Sequence, residues 1–528
     1  MALRMTKAKN HQLIHRILLG GCTSLTLTLV SSIPPLSAPT IATPTEEKIA
    51  QQSEDKTQNP TDAEAEKIFQ EGMQLYKEAT AESLRGAIAK WEEALLLFRK
   101  TGNLSREAVT LLGIGFVYDR LGEKQLALTF FNQALPLYKQ VGDKGGEAAT
   151  LNNIGSVYDD LGEKQKALDF YEQALPLYKQ VGDKGGEAAT LNNIGCVYDR
   201  LGEKQKALNF YEQALPLYEQ VGDRGGEAGT LYNIAWLKRD EGNLTESLAS
   251  IEKSLEIIED LRTKIIATDL RTSYFVTVQN RYEFYIKLLM QLHKQNPNQG
   301  FDAKAFHASE RSRARTLLSL LNEASVDIRQ GIDPQLATAE TDLQQKLNAI
   351  EKRRIELMSG EYTPEQKANI EQTRDKLIDE YDQLRNKIRA TSPNYAALTQ
   401  PQPLTLKEVQ QQVLDDDTLL LQYSVGENVS YLWAITKDSI NSYQLPSQAE
   451  IKTAAIELMA TITNPRKRND ITKVDSAADA LTEIILKPVA DQLNKKRLLI
   501  VADGFLQYIP FSALSIPGTT TESDGYQP

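Results

Sequence analysis

Cysteine is almost missing from this chain: Cys22 and Cys196 are the only two in 528 residues, which excludes a disulfide framework and a cysteine-built zinc site. Histidine is nearly as rare. Of the four, His11 and His15 lie ahead of the N-terminal apolar stretch, and His293 and His307 stand apart on helical segments, so no pair offers a metal site. No phosphate loop and no Rossmann glycine fingerprint occur, and no cofactor is expected. Positive charge is in deficit, with 60 Lys and Arg against 71 Asp and Glu, a net charge of −11 and a pI near 5.2. That balance argues against a nucleic-acid partner. Repeated long apolar runs are absent too, and 41% hydrophobic with 25% charged residues at a mean hydropathy of −0.40 fits soluble, helix-rich globular structure. The length implies three or four folded units.

The N-terminus reads as a secretory signal peptide over residues 1–42. Arg4, Lys7, Lys9 and Arg16 precede an uncharged stretch from Ile17 to Ile33, then Pro34, Pro35 and small residues through Ala42. Cleavage after Ala42 or Ala38 removes four cations and no anions, taking the charge from −11 to −15. The expected location is secreted or periplasmic, with the membrane touched only through this transient segment. An uncleaved anchor is the alternative, although the run is short and rich in Ser, Thr and Gly; a lipoprotein site at Leu19–Cys22 is a further one. Residues 43–61, rich in Thr, Gln, Pro and acids, read as a disordered leader.

A forty-residue repeat dominates residues 110–263. Thr150–Ala189 and Thr190–Gly229 differ at six positions, leaving 34 of 40 identical. Thr110–Ala149 is a third copy, a weaker fourth covers 230–263, and Ala63–Val109 holds a diverged first unit around Trp91 and Leu95. Apolar residues recur at helical spacing, as Leu151, Ile154 and Tyr158, then Ala167, Phe170, Tyr171, Ala174 and Leu175, with Gly162 between the runs. Each copy is therefore a helix, a turn and a second helix. Pro176 and Pro216 fall inside the second helix, where each removes one backbone bond and favours a kink.

The ladder Gly155, Tyr158, Gly162, Ala167, Tyr171, Ala174, repeated as Gly195, Tyr198, Gly202, Ala207, Tyr211, Ala214, resembles the tetratricopeptide repeat, in the longer form of the kinesin light chain units. The resemblance implies a mainly α protein with a right-handed solenoid of helix pairs over residues 62–325 and a concave groove lined by first helices. In that family the residue two before the conserved glycine faces the groove, here Asn153, Asn193 and Asn233. An amide both donates and accepts, so such a row can pair with an extended peptide backbone whatever its side chains. Asn152 and Asn192 adjoin the row, and Asp159, Asp199, Arg239 and Trp236 are expected on the same surface. The alternative is that these asparagines only tie helix ends together or face water.

Beyond the repeats, helix continues through Leu292 and Ala303–Ala324, in segments that resemble the stretch preceding a CHAT domain, the caspase-like domain associated with tetratricopeptide repeats, in cyanobacterial proteins. Leu336, Leu343, Leu347, Ile350 and Leu357, then Ile370, Leu377, Tyr381, Leu384 and Ile388, keep a seven-residue rhythm that predicts a helical hairpin or coiled-coil linker over 326–392. Strands follow at Thr418–Val425, Val429–Thr436, Ile440–Leu445 and Arg497–Ala502, with helices at Glu450–Thr463 and Ser476–Leu493 before the last. The segment RLLIVADGFLQYIPFSAL resembles the CHAT strand that leads through an Asp-Gly turn, and residues 403–528 are expected to hold an incomplete CHAT domain.

Two functions remain open. One is a scaffold that binds a peptide or protein in the groove. The other is a regulatory cysteine peptidase whose catalytic His and Cys lie beyond the end of this chain, since no His or Cys occurs between Leu404 and Pro528. Catalysis by the chain as given is not expected, because a dyad of Cys196 with His293 or His307 lacks a sequence context that brings them together. Oligomeric state stays undetermined.

Overall fold

A computed structural model describes residues 60–78, 80–264, 268–323, 332–358, 364–392, 403–464, 470–515 and 517. The expected signal peptide, the leader as far as Asn59, the stretch 393–402 and the tail from 518 lie outside the described residues. The described residues form two compact units, one running to Leu270 and including Gln335–Arg385, the other comprising Arg271–Pro334 and the residues from Asn386 on.

The first unit is a succession of antiparallel helix pairs: α1 (Pro60–Glu78) with α2 (Ala81–Thr101), α3 (Leu104–Arg120) with α4 (Lys124–Val141), α5 (Lys144–Asp160) with α6 (Lys164–Val181), α7 (Lys184–Arg200) with α8 (Lys204–Val221), and α9 (Arg224–Asp240) with α10 (Leu244–Lys264). Each helix packs on its neighbours in sequence, so the core is a chain of local contacts rather than one centre. The starts are set by Asn103, Asp143, Asp183 and Asp223, whose side chains accept from the N–H groups of Arg106, Gly146, Gly186 and Gly226. The second helices stop at Gly142, Gly182 and Gly222 with φ of 77°, 75° and 72°, the left-handed conformation that favours glycine. α6 continues through Pro176, and the carbonyl that loses its donor belongs to Glu172, on the exposed side of the helix.

A ladder of close approaches fixes each pair. Trp91, Phe131, Tyr171 and Tyr211 recur every forty residues, all buried, and face Gly72, Gly115, Gly155 and Gly195, where an added Cβ would lie 2.5, 2.6, 2.7 and 2.6 Å from the ring. In the last pair both partners change together, to Ile251 and Ala235, which are also buried. α13 (Pro334–Met358) and α14 (Pro364–Thr391) are long helices grouped mainly with this unit, and Leu347, Ile370, Tyr381 and Ile388 of the predicted heptads are buried.

The second unit begins earlier than a solenoid over 62–325 anticipates. α11 (Thr268–Gln295) from Arg271 onward and α12 (Phe301–Glu323) group with the strands and not with the repeats. After α15 (Leu406–Gln412) come β1 (Thr418–Ser424), β2 (Ser430–Ile435), β3 (Ile440–Leu445), α16 (Gln448–Thr463), α17 (Ile471–Ile485) and β4 (Arg497–Val501). They make a sheet of order β3-β2-β1-β4, antiparallel at β1–β2 and β2–β3 and parallel at β1–β4, with Leu421 opposite Ala434 and Ile500. Alternation sorts the two faces. Leu419, Leu421, Tyr423, Leu432 and Ala434 join Ile451, Leu458, Leu481 and Ile485 of α16 and α17 in one core. On the opposite face Trp433 meets the edge of Phe306 of α12 at 6.3 Å between ring centroids, and Gln422 reaches Ser309. Buried on both faces, β1 and β2 read as continuous apolar runs.

Candidate functional site

The first helices α3, α5, α7 and α9 approach one another more closely than the second helices do, which puts them on the inside of the stack's curve. On this face the asparagines divide into two classes. Asn152 and Asn192, one repeat apart on α5 and α7, are acceptors between repeats: Asn152 Oδ1 receives Thr190 Oγ1 at 3.1 Å and Asn193 Nδ2 at 3.4 Å, and Asn192 Oδ1 receives Thr230 Oγ1 at 3.2 Å and Asn233 Nδ2 at 3.3 Å. They tie adjacent first helices together. The second class keeps capacity to spare. The Asn153 side chain is half-buried and makes no hydrogen bond among the described residues, and Asn193, 6% exposed, leaves its Oδ1 buried without a partner.

Cys196 sits where its counterparts are Phe116, Ser156 and Trp236. It is buried, and its Sγ lies 3.4 Å from Tyr211 Oη and 3.6 Å from Asn233 Nδ2. The pattern has a local cause. Where the second helix carries a tyrosine, its hydroxyl finds a small polar partner on the first helix, Cys196 for Tyr211 and Ser156 for Tyr171. Where it carries Phe131 or Ile251, the first-helix position is an aromatic, Phe116 or Trp236. Cys196 is thus a packing residue of the repeat unit, and His293 and His307 belong to the other unit.

The charged positions follow the same inner face. Asp159 Oδ2 accepts from Arg200 Nη1 of the next first helix at 2.6 Å, while Oδ1 is buried without a hydrogen-bond partner. Burial pushes this carboxyl above its ordinary range, with the Arg200 guanidinium as the chief opposing influence. Asp199 is half-buried on α7. The Arg239 guanidinium lies 3.9 Å over the Trp236 ring and donates to Asp240 Oδ1 at 3.0 Å, and Tyr232 meets Trp236 edge-on at 6.4 Å. Three residues that complete this surface escape a sequence reading: Thr190, Thr230 and Arg200. Arg200 could have been found, since it replaces Asp160 of the previous copy and is one of only six differences between the two.

Among the described residues no group of three or more His, Cys, Asp or Glu side chains is placed to hold a metal, and no helix is long and apolar enough to cross a membrane. Residues 137–220 and 228–261 carry tetratricopeptide repeats: one tetratricopeptide-repeat family model matches residues 137–180 and 146–220, and a second matches 228–261. Solved structures similar to this chain include BtubC (BKLC) from P. vanneervenii, at 17% identity over 39% of this chain and 93% of that one with a TM-score of 0.30. They also include the apo form of the quorum sensor NprR from B. thuringiensis (14% identity, 62% and 88% covered, TM-score 0.35). A third is the Podosopora anserina putative kinesin light chain with nearly identical TPR-like repeats (14% identity, 38% and 96% covered, TM-score 0.32). No curated protein matches the sequence.

Proposed function

We propose that the chain is an interaction scaffold that binds an extended segment of a peptide or protein along the first helices α5, α7 and α9. The observation that carries this reading is the unspent hydrogen-bonding capacity of the Asn153 amide, half-buried on α5 with no hydrogen bond among the described residues, in a row whose other members Asn193 and Asn233 follow at forty-residue intervals on α7 and α9. An extended backbone supplies both N–H donors and carbonyl acceptors, which an accessible primary amide can pair in either sense. Asp159 and Asp199 are balanced on this face by Arg200 and Arg239, so the bound segment is polar and is recognised through its backbone rather than by net charge. The α/β unit is of CHAT type, a reading supported by the run from β4 through Asp503-Gly504 to Pro510-Phe511. The place of action is outside the cytoplasm, supported by the N-terminal order of cations, uncharged stretch and small residues.

The test is selection from a random peptide library on the full chain, followed by titration of the best binder against N153A and the N153A/N193A/N233A variant. The expected result is at least about tenfold weaker binding by the triple variant, equivalent to one lost hydrogen bond of about 1.4 kcal/mol. Unchanged affinity with intact helicity refutes the groove.

A further inference from the structure

The first helices are copies of one another, and copies constrain what can lie across them. α5 and α7, 17 residues each, differ only at Ser156 against Cys196 and at Asp160 against Arg200. Both therefore carry the same pair of amides, Asn152 and Asn153 on one, Asn192 and Asn193 on the other. Asn193 Nδ2 donates to Asn152 Oδ1 at 3.4 Å, and successive first helices come within 8 Å of each other between Cα atoms. Helices packed this closely have axes about 8–10 Å apart, so a chain crossing them meets the same row again after one such step.

A ligand that meets each copy in the same way has to repeat with that step. A β-strand does not: its side chains return to one face every two residues, about 6.6 Å, and three residues, about 10 Å, present the opposite face. A polyproline II helix does, because three residues at about 3.1 Å each make one turn of about 9.3 Å and every third residue points the same way. Its backbone has no internal hydrogen bonds, which leaves its carbonyls open to the half-buried Asn153 amide. Both ends of the row are aromatic. At the position of Ser156 and Cys196, α3 carries Phe116 and α9 carries Trp236, both half-buried. Phe116 meets Tyr76 edge-on at 6.3 Å, as Trp236 meets Tyr232 at 6.4 Å. Aromatic-lined grooves dock proline-rich segments, whose preset backbone lowers the ordering cost of binding. From α3 to α9 is three steps, which corresponds to about three turns, or roughly nine residues, of such a helix.

We propose that the groove takes a proline-rich segment in the polyproline II conformation, with a three-residue period and a polar third residue, lying across α3, α5, α7 and α9. This rests on the reading of the first helices as a peptide groove and adds the class of ligand.

The experiment titrates the full chain with acetyl-(Pro-Pro-Gln)3-amide, with its two-unit and four-unit relatives, and with acetyl-(Val-Thr-Gln)3-amide, whose residues favour the β conformation. The three-unit proline peptide is expected to bind at least about tenfold tighter than the Val-Thr peptide and the two-unit peptide, and within about threefold of the four-unit one. One extra Gln inserted in its middle unit breaks the phase and is expected to weaken binding about fivefold or more. Equal affinity for the two nine-residue peptides, no binding of the proline series, or indifference to the inserted residue overturns the ligand class. These comparisons use the unaltered chain, so no variant has to fold for them to decide. A library-selected binder that depends on Asn153, Asn193 and Asn233 while the proline series fails to bind refutes this inference and leaves the groove standing. Proline binding that the N153A/N193A/N233A variant leaves unchanged refutes both.

Discussion

Gly195 and Tyr211 interlock: a Cβ on the glycine would stand 2.6 Å from the tyrosine ring, so the absence of a side chain on α7 is what lets α8 lie where it does. Gly195→Ala is therefore expected to destabilise the repeat unit by about 1–3 kcal/mol, the usual cost of overpacking a tight core. Adding Tyr211→Ile recreates the combination found at Ala235 and Ile251 and is expected to recover part of the loss. Denaturant melts of the single and double variants check this; an unaffected midpoint in Gly195→Ala contradicts the interlock.

Arg200→Ala leaves the buried Asp159 carboxylate without its counter-charge. The expected cost near neutral pH is about 1–3 kcal/mol. The folded-state pKa of Asp159 is raised, so its protonated form favours folding, and stability falls as pH rises from the ordinary Asp value through the raised one. Loss of Arg200 raises it further. The gap between variant and parent should thus be small below pH 4 and widen toward neutrality, and a gap that narrows as pH rises in a series of melts would oppose the assignment.

The two classes of asparagine predict opposite behaviour on truncation. Asn192→Ala removes the acceptor shared by Thr230 and Asn233, which keep only the Gly226 carbonyl and the Cys196 sulfur, and should cost about 1 kcal/mol. Asn153→Ala removes an unengaged amide and should stay within about 0.5 kcal/mol. Thermal melts distinguish them, and similar losses for both would mean that Asn153 also serves packing.

β4 carries Leu498 and Leu499, 44% and 40% exposed, on opposite faces of a strand whose outer edge is unpaired among the described residues. Such a strand predicts association at high concentration, and Leu498→Lys should reduce it while leaving the melting temperature nearly unchanged. Light scattering across a concentration series provides the measurement; equal association in the variant counts against the edge.

Much of this architecture is legible without coordinates because its causes are local. The helix pairs follow from apolar spacing and the Asp and Gly caps, and the four strands agree within a residue or two at each end with their apolar runs. α17 starts at Ile471, five residues before the expected Ser476, since Asp470 caps it through the Lys473 N–H. Membership of α12 was not legible. Its helical period says that one face is buried but not against what, and the deciding bonds from Arg313 span 110 and 189 residues. The split among the asparagines was hidden for a similar reason: Asn152 and Asn153 are chemically identical neighbours, and the Thr190 hydroxyl and Asn193 amide one repeat on separate their tasks.

The bonds that join successive repeats connect residues 36 to 41 positions apart, Lys124 with Asp160, Asp159 with Arg200, Thr190 with Asn152. Excision of residues 190–229 would accordingly rejoin surfaces that already fit. Asn152 would receive Thr230 and Asn233, and Lys164 would find Asp240 as Lys124 now finds Asp160, while Asp159 would have Asp240 at the place of Arg200, the one mismatch of the new junction. A gene carrying such interchangeable blocks can gain or lose one by unequal exchange and still encode a foldable product, so the reach of the array is a heritable variable that shifts in whole-block steps.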